Sequence, residues 1–323
     1  MAKSIPPRLG VYWGHIPDGE YGRANGFMFG GQAVGMAAGS ALSGYLIAYH
    51  GLSMAMLALA ALVAAILTVV IFTRERPGER LLPWTPGSAQ AVSIESHLGE
   101  FWPIVRSLFK AMAKRHTLIF IPAIFLGGAA YGLFTGFAPL LAANTFGWRD
   151  DIYANWSGQA NLVAGIAGAL VVGFLAERWG ARRIYAAAHF MIAAAALVLF
   201  VLLPGWTGPT LLITAIFLFA MLLVLQAVTQ SAVAMRCCAP AVAATQFSLF
   251  MAISNLGISL SSALLGHLDR LGGIPAMIIA LIAVGVVGAV FTLVAKVGRR
   301  GGSQQHIQTA SRISSASSVL ESF

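Results

Sequence analysis

Long apolar runs broken by short polar segments organise this chain. No Asp, Glu, Lys or Arg occurs from Ala24 to Thr73, from Thr117 to Trp148, or from Ile184 to Met235. One helical crossing of a bilayer takes about 20 predominantly apolar residues, so the first and third runs each hold a pair of spans. The pattern predicts about eight membrane-spanning helices, near 24–48, 53–73, 117–141, 156–176, 184–203, 210–233, 244–266 and 274–295. The fold class is an all-α polytopic membrane bundle. It divides into a polar segment 1–22, a helix pair 23–73, a connection 74–116, a six-span bundle 117–297 and a tail 298–323.

The connection and the tail carry different patterns. The first half of 74–116 is rich in Pro and Gly and reads as loop. In its second half Phe101, Val105, Leu108 and Met112 fall on one helical face, with Arg106, Lys110 and Lys114 opposite. Such a helix suits the headgroup region of a membrane, or packing on the ends of the bundle, and the two readings are compatible. The Ser-rich tail has no sustained period and reads as disordered.

Composition strengthens the membrane assignment. The 323 residues are 58% hydrophobic and 10% charged, with mean hydropathy +0.81. Soluble domains carry roughly a quarter charged residues. The net charge of +9 does not point to nucleic acid, because the basic residues collect at alternate span ends. One side holds Arg23, Arg74, Arg76, Arg80, Arg106, Lys110, Lys114, Arg115, Arg178, Arg182, Arg183, Arg236, Lys296, Arg299 and Arg300. The other holds Arg149 and Arg270, each beside an acid. By the positive-inside rule the crowded side and both termini are cytoplasmic. The adjacent Cys237 and Cys238 read as inert thiols. There is no phosphate-binding loop, metal-ligand cluster or nucleophile elbow, so neither an enzyme nor a cofactor or metal is expected.

Small residues recur every four positions: Gly26 and Gly30; Gly31, Gly35, Gly39 and Ser43; and Gly128, Gly132 and Gly136. That spacing lets helix backbones approach closely in lipid. Polar side chains within spans are few, and amides facing lipid are costly. Asn161, Gln226, Gln230 and Asn255 either surround a central polar cavity that binds a small solute or make interhelical hydrogen bonds. Gln32 reads as an interhelical bond, and His189 as an interfacial histidine bonded to a neighbour. Ser248, Asn255, Ser259 and Ser262 share a face of their span, with Gln246 opposite.

Two segments carry a resemblance. Gly173, Glu177, Arg178, Gly180, Arg182 and Arg183 resemble the loop motif G-x-x-x-D-R-x-G-R-R of the major facilitator superfamily, with Glu in place of Asp. Ala244, Thr245, Gln246, Phe247 and Leu249 are similar to the A-T-Q-F-x-L segment of its peptide/acetyl-coenzyme A/drug transporter family, which includes muropeptide permeases. The resemblance implies two helical half bundles moving a polar metabolite of muropeptide, siderophore or acyl-coenzyme A type across the bacterial inner membrane. It makes the loop motif a gate and protons a candidate coupling ion. The chain's spans then correspond to family spans five to twelve, with 23–73 as the last two spans of the first half and the first four absent. A non-transporting membrane protein is the alternative that this departure leaves open.

Overall fold

In lipid every backbone N–H and C=O must find its partner within the spanning segment, so an apolar run becomes a helix. The computed structural model describes residues 21–72, 101–205, 208–239 and 242–295. The expectations for residues 1–20, the loop half of the connection and the tail 298–323 lie outside the described residues.

Helix α1 (Tyr21–His50) turns at Gly51 into α2 (Leu52–Phe72). After the connection come α3 (Phe101–Met112), α4 (Arg115–Phe146), α5 (Asp150–Ala167), a π-helical turn (Gly168–Val172) and α6 (Gly173–Trp179), the last three forming one continuous rod. Then follow α7 (Ala181–Leu202), α8 (Thr210–Cys237) and α9 (Ala243–Val294). No strand occurs among the described residues.

Among the described residues, six helices are long and apolar enough to cross a membrane: α2, α4, the α5–α6 rod, α7, α8 and α9. Two physical details reconcile this number with the eight spans predicted. The 52-residue α9 holds two of them, broken at Gly272 and Gly273 and followed by Pro275. Gly273 has φ +62°, a region open mainly to glycine, and Pro275 lacks the N–H that would continue the ladder. The 30-residue α1 has the length, but its glycines and polar residues dilute its hydropathy.

Small residues set the helix contacts. Glycines of α4 lie against α9: a Cβ on Gly132 would come 2.6 Å from the Ile258 carbonyl oxygen, and one on Gly128 would overlap the Ser254 carbonyl. On α1, Gly26 and Gly30 meet the Gly168 and Gly165 carbonyls at 2.7 and 2.6 Å from such a Cβ. The other series on α1 does not pack, for Gly31, Gly35 and Gly39 have nothing within 4 Å. Thus α1 touches the bundle along one face near its start and stands away from it towards His50. Of the side chains described in α2, Ala55 is the buried one. The exposed apolar residues of both helices form a surface that lipid can solvate.

Helix α3 turns its apolar stripe inward. Val105, Leu108 and Met112 are partly buried and Ala111 is buried, while Arg106 and Lys110 are exposed. Its neighbours are α4 and α9, which favours packing on the bundle ends for that stripe. Trp102 and Phe109 remain exposed.

Candidate functional site

The bundle is layered along its axis. The end bearing Arg23, Arg115, Arg178, Arg182 and Arg236 is called the basic end below. Its layer includes Tyr21, Phe120, Ala176, Tyr185, Cys237, Cys238 and Phe250. Further from that end a second layer joins α4, α7 and α8, with the Phe134 and Phe219 rings stacked at 4.3 Å.

Beside these layers lies a cavity of about 370 Å³, walled by α1, α4, α5, α8 and α9. Asn161, Gln226, Gln230 and Asn255 all line it, although they come from three helices. Gln32 lines it as well, whereas its sequence reading was an interhelical bond. There α1 is still packed on α5 through Ala33, which lies against Gly165, and Gln32 stands beside that contact on the cavity side. Aromatic and apolar groups complete the wall, among them Phe29, Tyr131, Phe134, Tyr153 and Met251. None of the lining residues is Asp, Glu, Lys, Arg or His.

The amides are held from behind or from within their own helices. Asn161 Nδ2 donates to the Ser157 carbonyl at 2.9 Å. Gln230 Nε2 donates to Ser254 Oγ at 3.1 Å, and its Oε1 lies 3.0 Å from Tyr185 Oη. That hydroxyl also lies 2.8 Å from the Ala123 carbonyl, so its one proton is shared between two acceptors. Gln226 Nε2 sits 3.1 Å from His189 Nδ1. His189, read from the sequence as bonded to a neighbour, has Gln226 as that neighbour and is fully buried: α9 covers it, with Gly288 leaving room for the ring. Gln246, on the far side of its helix from Asn255, accepts the Ala239 N–H at 2.8 Å and pins the turn between α8 and α9. Ser248, Ser259 and Ser262 are exposed and stand outside the cavity lining.

The loop motif lies at the basic end, where each residue has a distinct placement. Glu177 accepts the backbone N–H of Arg23 at 2.9 Å through Oε1 and its Nε at 2.8 Å through Oε2. This carboxylate therefore meets both a cation and the first turn of α1, where the helix dipole favours negative charge. Gly173 permits the approach, since a Cβ there would stand 2.7 Å from the Gly22 carbonyl oxygen. Gly180, at φ +89°, makes the turn into α7. Arg182 Nη1 donates to the Ala295 carbonyl at 2.8 Å, at the C-terminus of α9. Arg178 and Arg183 are exposed. Close by, Asn25 Nδ2 donates to the Tyr21 carbonyl at 2.7 Å and lies 3.1 Å from Met235 Sδ, joining α1 to α8.

Sequence reasoning gave His189 a neighbour without naming it and missed Tyr185, the two α7 residues that support the glutamines. A signal for them existed: they are four residues apart on α7, the same spacing as Gln226 and Gln230 on α8. Two ladders of equal spacing on consecutive antiparallel helices can meet rung to rung.

The comparisons agree with this architecture. No curated protein matches the chain. The family model of the Major Facilitator Superfamily matches residues 12–262, from before α1 into α9. A helical bundle of membrane-length elements, with that match over most of its length, belongs to the Major Facilitator Superfamily of transporters.

Proposed function

We propose that this chain moves a small polar solute by alternating access, with Asn161, Gln226, Gln230 and Asn255 as its binding groups and the basic end facing the cytoplasm. One observation carries the reading: four amides and an aromatic wall share one cavity, which we read as sealed on its basic side. The seal is the Glu177–Arg23 pair, the Gly173–Gly22 contact and the Tyr21, Phe120 and Phe250 layer. Past Met36, α1 leaves the bundle, so the cavity is not closed in the same way on the other side. Such a shape fits the state of a carrier that is open away from the cytoplasm.

The gate suits repeated opening. Arg23 is 53% exposed and Glu177 14%. A pair with that much water around it contributes about 1 kcal/mol or less, small enough for a solute-driven change to break it. Glycine-to-glycine contacts add dispersion without interlocking side chains. The gate role of Gly173, Glu177, Arg178, Gly180, Arg182 and Arg183 belongs to this same reading.

Muropeptides, siderophores and acyl-coenzyme A conjugates are the solute classes to test first, with a proton gradient as the candidate driving force. The uncharged lining leaves proton binding to groups outside the cavity wall described above. Uptake of a radiolabelled muropeptide by membrane vesicles tests the site. Asn255→Leu with Gln226→Leu should abolish uptake while protein levels stay normal. Uptake at the unmodified rate would remove these residues from the binding site.

A further inference from the structure

Behind the cavity wall, α7 presents two fully buried polar side chains to the two glutamines of α8. The chemistry of the His189–Gln226 contact has one direction. A primary amide nitrogen donates and does not accept. A neutral imidazole has one unprotonated nitrogen, and an imidazolium has none. Gln226 Nε2 lies 3.1 Å from Nδ1 and 3.4 Å from Nε2 of the ring, so the contact is a hydrogen bond only while His189 is neutral.

Among the described residues, the surroundings of the ring supply no counter-ion. Tyr185 on α7 is its titratable neighbour, with ring centroids 4.7 Å apart. Helix α4 contributes the Ala123 carbonyl, α8 the Gln226 amide, and α9 the bare backbone of Gly285 and Gly288. A charge enclosed there would stand unpaired, at high cost. The enclosed side-chain atoms without partners, among the described residues, are Asn25 Oδ1, Thr117 Oγ1 and Ser231 Oγ. Gln226 Oε1 is not one of them, and no hydrogen-bond donor among the described residues reaches it, which leaves it to the cavity that Gln226 lines.

We propose that His189 is a positioning residue: held neutral, it anchors Gln226 Nε2 and presents the Gln226 carbonyl oxygen to the cavity as an acceptor for a hydroxyl or N–H of the solute. The inference rests on the cavity being the solute site, and it gives the wall a hydrogen-bond polarity. Protonation of His189 would reverse that polarity by forcing the amide to turn.

Histidine-selective ¹⁵N labelling of the full chain tests this by NMR. His189 is one of seven histidines, and its ring signals are those lost in His189→Asn. They should show one neutral tautomer, constant from about pH 5 to about pH 8, the window in which ordinary histidines titrate. Gln226→Leu should shift the signal of the accepting nitrogen. In Gln226→Glu an ionised carboxylate can only accept, so the ring nitrogen that faces it should gain a proton, by a change of tautomer or of charge, and its signal should leave the accepting range. Titration of wild-type His189 within that window, or signals indifferent to both Gln226 variants, would overturn the proposal. Transport does not enter the measurement, so a carrier without this polarity and a polarised cavity without transport give separable results.

Discussion

Gly127 shows how narrowly single residues are constrained around the cavity. A Cβ there would overlap Gln230 Oε1 and stand 2.7 Å from Tyr185 Oη. The hydrogen bonds linking Tyr185, Gln230 and Ser254 thus depend on an absent side chain in α4. Overpacking of this kind costs about 1–3 kcal/mol, whereas Gly35 has nothing within 4 Å and tolerates change. Gly127→Ala should lower the thermal unfolding temperature of the purified protein by several degrees, and Gly35→Ala should leave it unchanged. Equal effects would mean that the packing at Gly127 is misplaced. At this scale the amides were legible because any polar group in an apolar span must meet something other than lipid. That Gln32 lines the same cavity was not legible, since spacing along one helix does not show what stands opposite it. Tyr185 and the partner of His189 were missed because spacing along a helix gives a face and not the helix opposite.

Helix α1 carries the corresponding lesson for elements. Its two glycine series have the same four-residue spacing, yet one face packs and the other is open. Composition could not separate them. The packed series is the one in line with Gly22, which meets Gly173, and Glu177 holds that end of the helix through the neighbouring Arg23. The loop motif was legible as a motif; its partner, 154 residues away in the chain, was not. Native thiols report on this contact, because Cys237 and Cys238 are 6% and 4% exposed within the basic-end layer. Glu177→Gln keeps the side chain's shape and removes its charge. It should raise the rate of maleimide labelling of these cysteines several-fold, read by intact mass. An unchanged rate would show that the pair does not hold the layer shut.

For the whole molecule, the fold class followed from apolar lengths and charge placement, both of which reflect the solvent rather than any particular contact. The break of α9 at Gly273 and Pro275 was legible from the residues themselves. The π-helical turn at Gly168–Val172 was not, because it accompanies the close crossing of α1 and exists only in the assembled bundle. Such turns occur often at functional sites, and this one separates the part of the rod that lines the cavity from the part that carries Glu177. The same rod thereby links Asn161, a proposed solute group, to Glu177, a proposed gate residue. Alternating access requires that the cavity answer to one side of the membrane at a time. Asn255→Cys places a thiol on the cavity wall for a membrane-impermeant maleimide added from either side of oriented vesicles. Labelling should come from the side opposite the basic end, and Glu177→Gln should lower it there while raising it from the basic side. Access from both sides at once, or a Glu177→Gln variant that leaves both rates as they were, would contradict the account.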